Sequence, residues 1–217
     1  METTLGGVAT AAGIIAGGHH QLKRYGVADG MAWEVGLPCG GDIVILIQPV
    51  RAGGFAPDLL VQIDAANRAG QSLTLGTDLE TGSSAPGDGA FTNIYAPPRR
   101  LLIVGAVEIA RTLARLARDC GFDVTVIDPR ARFLTAERFP GVMLDDRWPD
   151  EAIAALLPDD RTAIVTLSHD TKIDDPALCA ALATPAPYVA ALGSKSSHTA
   201  RLVRLKALGC TDDQRAR

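Results

Sequence analysis

Aromatic residues make up only 5% of the 217-residue chain, which argues against an aromatic-rich sandwich and favours a parallel sheet covered by helices. Cysteine is sparse too. Cys39, Cys120, Cys179 and Cys210 lie far apart, with no C-x-x-C pair and no His at zinc-ligand spacing. That suggests neither a disulfide framework nor a structural zinc site, and it points to a reducing compartment. No block of Lys or Arg occurs, and 21 basic residues against 25 acidic ones leave a net charge of −4. A nucleic-acid footprint is therefore not expected. Long apolar runs are missing as well. Residues 5–18 (LGGVATAAGIIAGG) follow Glu2 without a Lys or Arg and fall short of the ~20 residues a membrane helix needs. They read as a glycine-weakened helix, and a cytoplasmic protein with no membrane partner is expected.

What is present is a large apolar fraction, 47%, with 22 glycines and 13 prolines. The chain reads as a smaller N-terminal α/β region over 1–75, a Gly/Ser/Pro-rich linker over 76–98, and a C-terminal domain over 99–217. In the first part, Asp42–Gln48 is a β-branched run suited to a buried strand, and Leu59–Ala66 fits a helix after Pro57-Asp58. The linker, GTDLETGSSAPGDGAFTNIYAPP, has no sustained apolar period.

In the last part, strands are expected at 100–104, 122–127, 141–144, 162–167 and 188–192. Helical spacing separates them at 107–119, 150–157, 176–183 and 196–208. Continuous apolar strands alternating with helices predict a Rossmann-like doubly wound parallel sheet in the order 3-2-1-4-5, with right-handed crossovers. A second protomer is one way such a short sheet could be completed, so a homodimer enters as an expectation.

Ligands of such sheets sit at the carboxyl ends of the strands. After the first strand, Gly105-Ala106-Val107-Glu108-Ile109-Ala110 matches G-x-G-x-x-G/A at its first and last positions. Val107 stands where the second glycine would let a pyrophosphate approach, and Glu108 adds negative charge at a helix N-terminus. Asp128, 23 residues beyond Gly105, is placed like a ribose-binding carboxylate. Two readings follow: an NAD(P)-dependent oxidoreductase, or a Rossmann-shaped domain whose turn holds no dinucleotide.

Arg130 could face an anion or simply pair with Asp128. His169 ends the fourth strand, as an acid/base, a ligand or neither. Gly193-Ser194-Lys195 ends the fifth and forms a phosphate cradle or an ordinary serine cap. The loop 193–197 and the turn at Gly105 are expected to line one pocket. Cys39, beside Gly40 and Gly41, is either an accessible thiolate for soft-metal or sulfur chemistry or a packed small residue. The other three cysteines read as packing or surface residues, and His19-His20 as helix-end surface.

Taken together, Tyr25-Gly26-Val27, Ala32-Trp33-Glu34-Val35-Gly36-Leu37-Pro38-Cys39-Gly40-Gly41, Leu101-Leu102-Ile103-Val104-Gly105-Ala106, Val126-Ile127-Asp128-Pro129-Arg130, Ser168-His169-Asp170 and Ala191-Leu192-Gly193-Ser194 resemble the XdhC/CoxI family. Those proteins mature molybdenum hydroxylases such as xanthine dehydrogenase. The resemblance implies binding of molybdenum cofactor (molybdopterin or its dinucleotide form), support for its sulfuration, and transfer to the apoenzyme, as a chaperone rather than a turnover enzyme. It implies a hydroxylase apoenzyme and a cysteine desulfurase as partners. It assigns the cofactor to Cys39, Gly40, Gly41, Gly105, Ala106, Glu108, Asp128, Arg130, His169, Gly193, Ser194 and Lys195, with Cys39 at the metal; NAD(P) is not expected as a ligand, because Val107 crowds the pyrophosphate and Glu108 repels it. The family's Pro-Arg-x-x-Gly-Ala and Gly-Gly-Cys motifs do not precede Tyr25, its first turn usually has His where Glu108 stands, and it continues past the position of Arg217. A shortened or divergent member is expected.

Overall fold

In the computed structural model, which describes residues 12–14, 16–27 and 41–216, the chain divides into two units, Met1–Pro97 and Pro98–Arg217. Cys39 and Gly40 lie outside the described residues. In the first unit β1 (Gln21–Val27) pairs antiparallel with β2 (Gly41–Ile47), so Gly41 is the first residue of a strand. Helix α1 (Pro57–Arg68) starts with Pro57, whose fixed φ suits a first turn. It packs Leu59 with Phe55 and Leu75 in a small core.

Residues 76–98 are not a plain linker. β3 (Leu73–Thr77) runs between β4 (Ser84–Pro86) and β5 (Phe91–Tyr95) in an antiparallel sheet. The apolar period is missing there because most of β5 is exposed, Phe91 and Ile94 included. Pairing therefore rests on backbone bonds and on tight turns. Gly76 lets the Asp88 backbone approach so closely that a Cβ would meet its carbonyl oxygen at 2.5 Å. His20 is not idle surface either: its Nε2 lies 3.0 Å from the Leu79 carbonyl oxygen.

The second unit contains β6 (Arg100–Val104), α2 (Glu108–Asp119), β7 (Asp123–Ile127), β8 (Met143–Asp145), α3 (Pro149–Leu156), β9 (Thr162–Thr166), α4 (Thr171–Leu182), β10 (Tyr188–Ala191), α5 (Lys195–Ala207) and α6 (Asp212–Ala216). The five strands are parallel in the order β10-β9-β6-β7-β8, which is the order 3-2-1-4-5 expected from sequence. Successive β6 residues point to opposite faces. Leu101 and Ile103 pack with Ala110, Ala114 and Ala117 of α2, whereas Leu102 and Val104 pack with α3 and α4. Alanines at these contacts let the helices lie close to the sheet, and the inner strands are buried between two helical layers, while the edge strands β8 and β10 are partly exposed.

Helix α4 begins at Thr171 rather than Pro176, because the Asp170 carboxylate accepts from Lys172 N at 2.9 Å and caps the helix there. Pro176 then sits inside the helix, at the cost of one backbone donor. Among the described residues, no helix is long and apolar enough to cross a membrane.

Candidate functional site

The carboxyl ends of β6 and β9 adjoin at the point where the chain reverses its direction of winding, the place where such sheets open a crevice. Here the crevice is closed by contact. Gly105 has φ +103°, and a Cβ on it would lie 2.7 Å from Ser168 N. Only glycine fits, because β9's loop occupies the space in front of the turn.

Behind Gly105, the fully buried Asp128 ties the turn together. Its Oδ2 accepts from Ala106 N at 2.8 Å and Arg130 Nη2 at 2.7 Å, and its Oδ1 from Arg130 N at 2.9 Å and Arg130 Nε at 2.8 Å. A carboxylate has about four lone-pair sites, and these bonds fill them. Burial works to raise the Asp128 carboxyl, but the Arg130 guanidinium and the backbone donors outweigh it and hold it below the usual carboxylate range. Arg130 is correspondingly raised, first by that same bond. The pair is real, but its acid is buried rather than superficial, and Asp128 has no oxygen left for a ribose. The same wiring recurs at the end of β8, where Arg147 N, Nε and Nη2 donate to Asp145 at 3.1, 2.9 and 2.5 Å.

Asp174, in the first half of α4, organises the β9 loop. It accepts from Ser168 Oγ at 2.7 Å and from His169 N at 3.0 Å. Burial pushes its carboxyl up, and the Ser168 and His169 donors and Arg201 do not reverse this. His169 is held at φ +60°, a left-handed conformation uncommon outside glycine, and its side chain is exposed.

At the next strand, Ser194 caps α5 by accepting from Ser197 N at 3.2 Å, and Lys195 opens the helix, exposed. The cap is genuine, and the helix N-terminus stands beside the exposed Lys195 with no acidic residue in its first turn. Gly193 approaches Ser197 Oγ so closely that a Cβ would sit 2.6 Å from it.

A cleft of about 220 Å³ joins the two loops, with His169 and Asp174 on one side and Ser197, Arg201 and Arg204 on the other. Arg204 is neutralised by Asp175, Nε to Oδ2 2.5 Å. Arg201 is only 7% exposed; its Nη2 donates to the Leu192 carbonyl at 2.8 Å, while its Nε makes no hydrogen bond. The buried guanidinium adds positive charge beside the α5 N-terminus, part of which acts on the Asp174 carboxylate.

The structure thus gathers Gly105, Ala106, Asp128 and Arg130 into one locked turn, and His169 with Ser197, Arg201 and Arg204 around a neighbouring cleft, whose lining does not include Gly193, Ser194 or Lys195. Gly105 is not among the residues that line this cleft, and the Ser168 backbone lies directly against it. Glu108 stands apart from both. It pairs with Arg111 at 2.8 Å and lines a different groove, along α2 and residues 137–142. Asp174 and Arg201 escaped the sequence reading. Their signals were an Asp four residues after a capping Asp, and an Arg seven residues, two helical turns, after a capping Ser. Among the described residues, no group of three or more His, Cys, Asp or Glu could hold a metal ion.

The family model for the XdhC Rossmann domain matches residues 101–217, more than half of the chain. The chain belongs to the XdhC family. Like it is the molybdenum cofactor insertion chaperone PaoD of Escherichia coli strain K12, 30% identical over 210 residues; the match covers 93% of this XdhC-family chain and 58% of PaoD. A crystal structure described as a xanthine dehydrogenase from Bacillus halodurans superposes with a TM-score of 0.76 at 22% identity, covering 98% of this chain and 71% of that one. At that identity the likeness of this XdhC-family chain to that structure is one of fold.

Proposed function

We propose that this chain is a maturation factor that carries molybdenum cofactor as cargo, supports its sulfuration with sulfur supplied by a cysteine desulfurase, and delivers it to a xanthine dehydrogenase-type apoenzyme. The observation that carries this reading is the likeness to PaoD across 93% of the chain. The cofactor is an anion at its phosphate end. The α5 N-terminus with Lys195, together with Arg201 in the adjoining cleft, supplies positive potential of the kind such an end requires. On this reading Cys39 is the thiolate that meets the metal end, and Gly40 and Gly41 give it access.

Nicotinamide nucleotides fit less well, because Asp128 is saturated by Arg130 and Ala106, and Val107 replaces the glycine of the phosphate turn. Equilibrium binding of molybdopterin, its dinucleotide form and NAD(P) to the purified chain tests the proposal. The molybdenum cofactors should bind, and Lys195→Ala and Arg201→Met should each weaken binding about tenfold. Cys39→Ser should leave phosphate-end affinity largely intact and impair transfer to apoenzyme. Low-micromolar NAD(P) binding with hydride transfer, and no binding of either molybdenum cofactor, would overturn it in favour of an oxidoreductase.

A further inference from the structure

We propose that Cys179 and Cys210 form a redox-active dithiol, which a small-molecule disulfide converts into an intrachain cross-link between α4 and the segment that follows α5. The two sulfurs lie 2.8 Å apart, and both cysteines are free thiols. That is less than an ångström beyond a bonded S–S length of about 2.05 Å, so the backbone already brings the pair within bonding range. The approach is built rather than incidental. Gly209, at φ +94°, ends α5 and turns the chain so that Cys210 N donates to the Leu205 carbonyl at 3.0 Å. Cys210 thereby enters an apolar cluster with Leu178, Leu182 and Leu205, against which Cys179 packs.

Accessibility is divided between the partners. Cys210 is buried and Cys179 is partly exposed, so an oxidant reaches Cys179 first and Cys210 acts as the resolving thiol. The Cys179 thiolate attacks one sulfur of the oxidant RSSR, forming a Cys179–S–S–R mixed disulfide and expelling RS⁻. The Cys210 sulfur then displaces the second RS⁻, and the two protons leave with the thiols. One RSSR and two protein thiols become two RSH and one protein disulfide. Burial, and next the neighbouring Cys210, push the Cys179 thiol up to about 12. At neutral pH Cys179 is therefore protonated, and it reacts slowly until an oxidant is in excess.

The bond would close a loop between positions 31 apart in the chain and restrain α4 and α5, the helices that wall the His169–Arg201 cleft.

Exposing the full-length chain to oxidised glutathione, blocking residual thiols and mapping peptides without reduction tests the proposal. The expected result is a Cys179–Cys210 cross-linked peptide, a fall from four titratable thiols to two, and a melting temperature higher by about 10 °C that dithiothreitol reverses. Cys179→Ser should abolish the peptide and the shift together, and Cys120→Ser should keep both. Persistent glutathione adducts with no cross-linked peptide, or both thiols alkylated after exposure, would overturn the pairing. A cross-link that leaves the melting temperature unmoved would overturn its restraint of the two helices.

Discussion

Gly105 and Asp128 act on the same turn by different means, and their substitutions should fail differently. Gly105→Ala places a methyl against the Ser168 backbone at a φ that L-residues avoid, and we expect a loss of about 2–3 kcal/mol in urea unfolding, independent of pH. Asp128→Asn removes the charge that satisfies Arg130 and should cost about 2–3 kcal/mol at neutral pH. The sign of its pH dependence follows from the lowered folded-state value of the carboxyl. The stabilisation is present above the unfolded value of about 3.9 and is lost as pH falls through the lower folded value. Unfolding midpoints of wild type and Asp128→Asn should converge below about pH 4. Asp128 and Arg130 were visible in the sequence as a pair at a strand end. Which of the two roles they take was not, since that depends on whether Ala106 N points at the carboxylate. Asp174 was invisible because its function is to bind a loop that precedes it, a relation no apolar period records.

At the level of elements, a boundary is legible where a side chain or an apolar run sets it. β6, β7 and β9 were plain from sequence because burial on both faces demands unbroken apolar residues. β4 and β5 were not, because short strands with exposed faces carry no such demand. The start of α4 shows how a cap overrides a helix breaker: Pro176 marks the apparent beginning, but Asp170 sets the true one. Asp170→Ala should lower stability by about 1 kcal/mol. Hydrogen exchange should localise the effect to the first turn of α4 and the Ser168–His169 loop that leans on it through Asp174.

For the whole molecule, the strand order has a consequence in time. β6 is the first strand of its sheet to be made and the central one, flanked by β7 on one side and β9 on the other. β7 and β8 follow soon after, but β9 begins at Thr162, 58 residues past Val104. At a synthesis rate of about 5–20 residues per second, one side of Leu101–Val104 stays unpaired for roughly 3–12 seconds in every nascent chain. During that interval a four-residue apolar strand waits with an open edge, the geometry that recruits other chains. A chain ending at Leu157 would never close it, and light scattering of that fragment should report association where the full chain stays dispersed. The ribosome's pace between Val104 and Thr162 thereby becomes a determinant of yield.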